Sequence, residues 1–216
     1  MPESFFVDIW SDVVCPFCYL GARQFAGALA GFEHRDDVVV RHRAFELDPG
    51  SASSSDLPLD ELLAKKYAIG VDHARAINER LQDQARSLGM AWALERARPT
   101  NTFDAHRLMA LAGDQGRGGE MGERLFRAYF SEGALLSDLQ TLSALSDEVG
   151  VEGADQLWRS DAYADQVRGD ELSAHELGIT GVPSMLVDGR FMIVGAQGAE
   201  KILDVLRRAW ARRGAA

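Results

Sequence analysis

Between Ser4 and Trp10 the chain runs SFFVDIW, an almost unbroken apolar, β-branched and aromatic stretch that predicts a buried strand over residues 4–10. Ser11 and Asp12 interrupt it. Helical spacing takes over across residues 17–32, where Tyr19, Leu20, Phe25, Ala28 and Leu29 share one face. A second strand is predicted over residues 38–47, stopped by Asp48-Pro49-Gly50. Strand, helix and strand in this order make a βαβ unit, with parallel strands and a right-handed crossover.

Residues 51–56 are a serine-rich linker, and the pattern after it is helical. The spacing predicts helices over residues 58–69, 72–88, 102–116, 119–131, 138–149 and 161–177, with Pro58 in a first turn and Thr102 and Asp138 as N-caps. Strand signal returns over residues 184–187 and 190–194, joined by Asp188-Gly189, a pair suited to a tight hairpin turn. A last helix over residues 197–213 carries Ile202, Leu203, Leu206 and Trp210 on one face. The expected class is α/β: one unit of residues 1–56 and 178–216, interrupted by an all-helical insertion of residues 57–177.

Composition narrows the function. A chain of 216 residues can bury a core without disulfide or metal staples. Its net charge of -10 opposes phosphate backbones and anionic lipid, so neither nucleic acid nor a membrane is expected as a partner. Arg207, Arg208, Arg212 and Arg213 are the one basic cluster, and they suit the solvated C-terminal end of a helix. No apolar window is long enough to span a bilayer, and residues 1–10 lack the marks of a secretion signal. The expected location is therefore the cytoplasm, where ordinary thiols stay reduced and a close cysteine pair needs its own explanation.

The chain holds two cysteines, Cys15 and Cys18, and they sit where the first strand turns into the first helix. Positions i and i+3 share a helix face, so their sulfurs can meet. Pro16 fits the first helical position, where its missing N–H removes no bond. Cys15 is then left at the helix N-terminus, where unsatisfied N–H groups and the dipole favour thiolate, the attacking species in disulfide exchange. With the uncharged pair Pro16-Phe17 between the cysteines, a lowered but not extreme pKa is expected at Cys15. Cys18, one turn deeper, is expected to keep its proton and resolve. Zinc would need two further ligands, yet His34, His42, His73, His106 and His175 are scattered without paired spacing. Two buried structural thiols are the plain alternative.

Thr180-Gly181-Val182-Pro183-Ser184 precedes the third strand. A trans proline opening an edge strand fits there, and so does a cis Val182–Pro183 bond that turns the Val182 backbone toward an extended substrate; the nearby dithiol favours the second.

CPFCYLG near the start, a helical insertion, and GVPSMLVDGRFMIVGAQ near the end together resemble the DsbA-like family, and within it a cytoplasmic FrnE-like branch. The resemblance covers nearly the whole chain. It implies a thioredoxin fold with a helical insertion, Cys15 as nucleophile, Cys18 as resolving thiol and Pro183 as a facing cis-proline. It also implies substrate contacts at Pro16, Phe17 and Val182. Asn101-Thr102-Phe103-Asp104-Ala105-His106-Arg107 is similar to a family signature that opens an insert helix, which offers Asn101 and His106 as substrate-binding residues, although a capped helix start with an ion pair fits the same segment.

The chain departs from that pattern at Phe17, where tryptophan is frequent, at Ala44, where proline is frequent, and at Ser184-Met185, in place of an aromatic pair. None of these removes a reacting atom. A related branch of glutathione-dependent transferases and isomerases usually carries serine at the first active-site position, so Cys15 argues against it.

The expected activity is thiol–disulfide exchange in the reducing or isomerising direction, without a bound cofactor or metal and with glutathione as a candidate co-substrate. Expected partners are protein or small-molecule disulfides and a cellular thiol reductant, acting on a monomer or homodimer. Two rivals stand beside it: a glutathione-dependent isomerase or transferase acting on a small aromatic compound, and a redox-sensitive holdase.

Overall fold

The structure, a computed structural model, describes residues 4–55 and 57–213. Residues 1–3, Asp56 and residues 214–216, which the sequence reading assigns to the first unit, lie outside the described residues. Along the chain the elements are β1 (Phe5–Ser11), α1 (Pro16–Ala30), β2 (Val38–Ala44), α2 (Leu59–Tyr67), α3 (Val71–Ser87), α4 (Phe103–Asp114), α5 (Gly118–Arg127), α6 (Leu139–Val149), α7 (Ala154–Trp158), α8 (Ala164–Glu176), β3 (Ser184–Val187), β4 (Phe191–Val194) and α9 (Ala199–Arg213). They fall into two compact units, Met1–Leu47 with Tyr163–Ala216, and Asp48–Ala162.

In the first unit the sheet order is β2-β1-β3-β4. β2 runs parallel to β1, as a βαβ crossover requires, whereas β3 pairs antiparallel with both β1 and β4. Alternation along β1 sends Phe5, Val7 and Ile9 to one face, where they meet Phe25, Ala28 and Phe32 of α1 and Ile202, Leu206 and Ala209 of α9. Burying the larger of these side chains stabilises by roughly 1.5–3 kcal/mol each, so this layer fixes where α1 begins. At the hairpin, Asp188 and Gly189 both take positive φ, of 52° and 64°, the backbone that a tight turn between β3 and β4 needs.

The opposite face of the sheet is covered by α8. Trp10 packs with Ala174 and Ile179 there, and its indole N–H donates to the Asp170 carbonyl at 3.0 Å. The Asp170 carboxylate accepts from the Ala44 N–H at 3.1 Å and from Arg43 at 3.0 Å. Arg43 also pairs, at 2.8 Å, with Asp8, the acid buried within the apolar β1 run, which Arg41 reaches from the adjoining strand at 2.5 Å.

These bonds change two expectations. The sequence boundaries at residues 57 and 177 place the α8 segment in the insertion, whereas the units divide after Leu47 and after Ala162, so α8 belongs with the sheet. β2 also stops at Ala44 rather than residue 47, because the next amides leave the ladder for side chains: Glu46 N–H donates to Glu171 at 3.4 Å and Leu47 N–H to Asp12 at 2.7 Å.

The second unit contains α2 to α7, and Leu108, Met121, Leu125, Leu136 and Leu142 are fully buried in it. Asp138 caps α6 by accepting the Thr141 N–H at 2.9 Å. Thr102 makes no such side-chain bond at α4; Asn101 takes that part, its Oδ1 accepting the Phe103 N–H at 2.9 Å. A π turn, Ala128–Glu132, follows α5, and α7 was not expected from the pattern. Among the described residues no helix is long and apolar enough to cross a membrane.

Candidate active site

β1 ends at Ser11, and Asp12, Val13 and Val14 carry the chain into α1. The Cys15 N–H donates to the Asp12 carbonyl at 3.0 Å, which closes this turn and sets Cys15 in the N-cap position with extended backbone, φ -88° and ψ 116°. Pro16 opens the helix. The amides of Cys18 and Tyr19 donate to the Cys15 carbonyl at 3.0 and 3.2 Å. The Cys15 side chain, at the N-cap as expected from the position of Pro16, takes no capping hydrogen bond.

What the Cys15 sulfur meets is the Val182 carbonyl, 3.6 Å away, to which its S–H donates. The Val182–Pro183 peptide is cis. Its loop is tied down on both sides, by Gly195 N–H donating to the Pro183 carbonyl at 2.7 Å and Ser184 Oγ donating to the Gly181 carbonyl at 2.9 Å.

Both cysteines are free thiols. Burial pushes the Cys18 thiol well above its ordinary value of 9.0, and the neighbouring Cys15 adds to the rise. Cys18 thus holds its proton more firmly than an ordinary cysteine. Cys15 is less open than the sequence reading supposes: the residue is 3% exposed, against 2% for Cys18, while Phe17 between them is 48% exposed. The Val182 carbonyl lying on the sulfur is one physical reason.

Cys15, Pro16, Phe17, Cys18, Val182 and Pro183 all lie in the first unit, around the start of α1. Asn101 and His106 belong to the second unit, where Asn101 caps α4 and His106 is buried within it. In the same signature Arg107 donates to the Ala162 carbonyl at 2.9 Å, to Leu157 at 2.8 Å and to Ser160, and pairs with Asp104 at 2.7 Å, so this arginine fastens the end of the unit.

Two residues near the dithiol had no assigned part in the sequence reading. Asp12, read only as a strand breaker, is 1% exposed; its carboxylate accepts from the Leu47 N–H, and its charge helps to raise the Cys18 thiol. Gly21, one turn past Cys18, lies against Pro183. An acid three residues before a Cys-x-x-Cys, and a glycine three after it, are the signals that could have marked them. Among the described residues no group of three or more His, Cys, Asp or Glu side chains is placed to hold a metal ion.

The DSBA-like thioredoxin domain family matches residues 6–207. The chain belongs to this DsbA-like thioredoxin family. It is 30% identical over 198 residues to the uncharacterised protein YwbO of Bacillus subtilis (strain 168), a match spanning 90% of this chain and 92% of that one. The crystal structure of a probable DsbA oxidoreductase of Streptomyces coelicolor superposes with a TM-score of 0.90 at 39% identity, over 96% of this chain and 90% of that chain. The cytosolic disulfide reductase DsbM of Pseudomonas aeruginosa shares the fold at a TM-score of 0.67 and 17% identity, over 95% of this chain and 98% of its own. A DsbA-like chain of this kind joins the four-stranded mixed sheet of its first unit to a second unit made of helices.

Proposed function

We propose that this DsbA-like chain is a dithiol–disulfide oxidoreductase of the FrnE-like branch that works in the reducing or isomerising direction on disulfides. The observation that carries the proposal is the pair of free thiols at the start of α1, with Cys15 under the Val182 carbonyl. Burial holds the Cys18 thiol protonated, and Cys15, beside the Val182 carbonyl at the start of α1, is assigned as the nucleophile.

The Cys15 thiolate attacks one sulfur of a substrate disulfide; that S–S bond breaks, a mixed disulfide forms, and the first substrate sulfur leaves and takes a proton. Cys18 gives up its proton and attacks the Cys15 sulfur, releasing the second substrate thiol and forming the Cys15–Cys18 disulfide. Two electrons have passed to the substrate. Two molecules of a cellular thiol return the pair to the dithiol and leave as their own disulfide. Glutathione is proposed for this part: the structural relative DsbM is described as a cytosolic disulfide reductase and has been solved with glutathione. The exchange uses no bound cofactor. Val182 and Pro183, together with Pro16 and Phe17, are proposed to hold an extended substrate beside the sulfur.

The preference for reduction rests on a cytoplasmic location, where the glutathione poise keeps such a pair reduced. The test is a Cys18→Ser chain expressed in cells. It is expected to accumulate mixed disulfides on Cys15, and mass spectrometry of the captured partners separates protein clients from glutathione. Saturable glutathione binding with no captured protein and no disulfide turnover would favour the isomerase or transferase reading instead.

A further inference from the structure

Gly21 stands three residues after Cys18, on the buried face of α1. Its backbone is ordinary helix, so no unusual φ calls for glycine, and glycine is a poor interior helix residue. Space is what calls for it. A Cβ built at Gly21 would lie 3.0 Å from Pro183 Cγ, 3.5 Å from Pro183 Cβ and 3.8 Å from Met185 Cε. Gly27, further along the same helix, offers the contrast: its Cβ would meet only the Ala199 methyl, at 3.7 Å, an ordinary contact.

The group that would have to yield is a rigid ring in a fastened loop. The Pro183 carbonyl is held by the Gly195 amide at 2.7 Å, and Ser184, next in the chain, pairs with Trp10 on one side and Val194 on the other. What such a shift would move is the Val182 carbonyl, 3.6 Å from the Cys15 sulfur.

We propose that Gly21 is a positioning residue: by carrying no side chain it lets the Val182–Pro183 loop seat directly on α1, and so sets the Val182 backbone at the distance from Cys15 that favours an extended peptide disulfide over a small electrophile. The inference rests on the oxidoreductase reading and names a determinant of selectivity within it. A peptide disulfide must be aligned by the Val182 backbone before its sulfur meets Cys15. A small alkylating agent needs only the sulfur.

The test compares Gly21→Ala with Gly27→Ala and the unchanged chain. For each, the rate of exchange with a cysteine-containing peptide disulfide is divided by the rate of Cys15 alkylation by iodoacetamide, well below the unfolding transition. The ratio is expected to fall about tenfold in Gly21→Ala, since small misplacements of a reacting group cost about this much or more. In Gly27→Ala it is expected to stay at the original value. An unchanged ratio in Gly21→Ala overturns the inference. So does a Gly21→Ala chain that fails to fold while Gly27→Ala folds, because the residue would then serve the fold and not the loop. If the unchanged chain itself performs no exchange, the oxidoreductase reading falls first, which keeps the two failures distinct.

Discussion

The burial of Cys18 makes a kinetic prediction about the second half of the reaction. Its thiol lies well above its ordinary value, so the thiolate is a small minority at neutral pH, and the share grows as pH rises. When Cys15 is tied up in a mixed disulfide it no longer acts on Cys18 as a neighbouring thiol, but desolvation, the largest cause of the rise, remains, as does the nearby Asp12 charge. The release step is therefore expected to accelerate with a slope close to one in log rate against pH, from pH 6 to about pH 9, without levelling off. The assay is a single turnover: Cys15 is loaded with a fluorescent peptide through a mixed disulfide, and peptide release is followed after a jump in pH. In the Cys18→Ser chain the release is expected to vanish at every pH. A rate that levels off below pH 8 in the unchanged chain would refute the reasoning, because Cys18 would then ionise near neutrality despite its burial.

Two further outcomes follow from contacts away from the sulfurs. Asp170→Ala leaves the Ala44 amide without its acceptor and removes one of the two carboxylates on Arg43, so it is expected to cost about 3 kcal/mol in urea unfolding; a loss under about 1 kcal/mol would show that α8 does not anchor β2. The Arg207 guanidinium holds the Glu33 carboxyl at about 2, below its ordinary 4.5, so any support from this exposed pair is present above the ordinary value and is lost as pH falls through about 2. Carboxyl NMR titration is expected to show that low value at low salt and to move it upward in high salt or in Arg207→Ala, while an unchanged value in Arg207→Ala would count against the pair.

Residues 5–11, the helix that begins at Pro16 and the Asp188-Gly189 hairpin were legible because their signals are local: an apolar run, helical spacing, and a pair of residues suited to positive φ. The Cys15–Cys18 pair was legible for the same reason. α8 was legible as a helix but not as a partner of the sheet, since its attachment depends on Asp170 reaching Ala44 and Arg43 and on Trp10 reaching back to Asp170. Nothing in the local pattern around residue 170 announces a bond to residue 44. The limited exposure of Cys15 and the close approach of Gly21 to Pro183 also depend on a loop more than 150 residues away in sequence, and spacing alone carries no information about that meeting.

Asn101 and His106 show the converse. Their segment matched a family signature, yet the bonds described for it include Asn101 capping α4 and Arg107 binding three carbonyls at and just beyond the end of α7. A polar motif at a helix start is consistent with a cap and with a binding site alike, and residue types by themselves do not separate the two.

The most direct measurement is turnover of a protein disulfide, with glutathione as the reductant, by the unchanged chain and by Cys15→Ser. The account predicts sustained reduction by the first and only the uncatalysed background from the second. Undiminished turnover by Cys15→Ser would contradict it, because a chain with Cys18 as its one remaining thiol would then be doing the work assigned to Cys15.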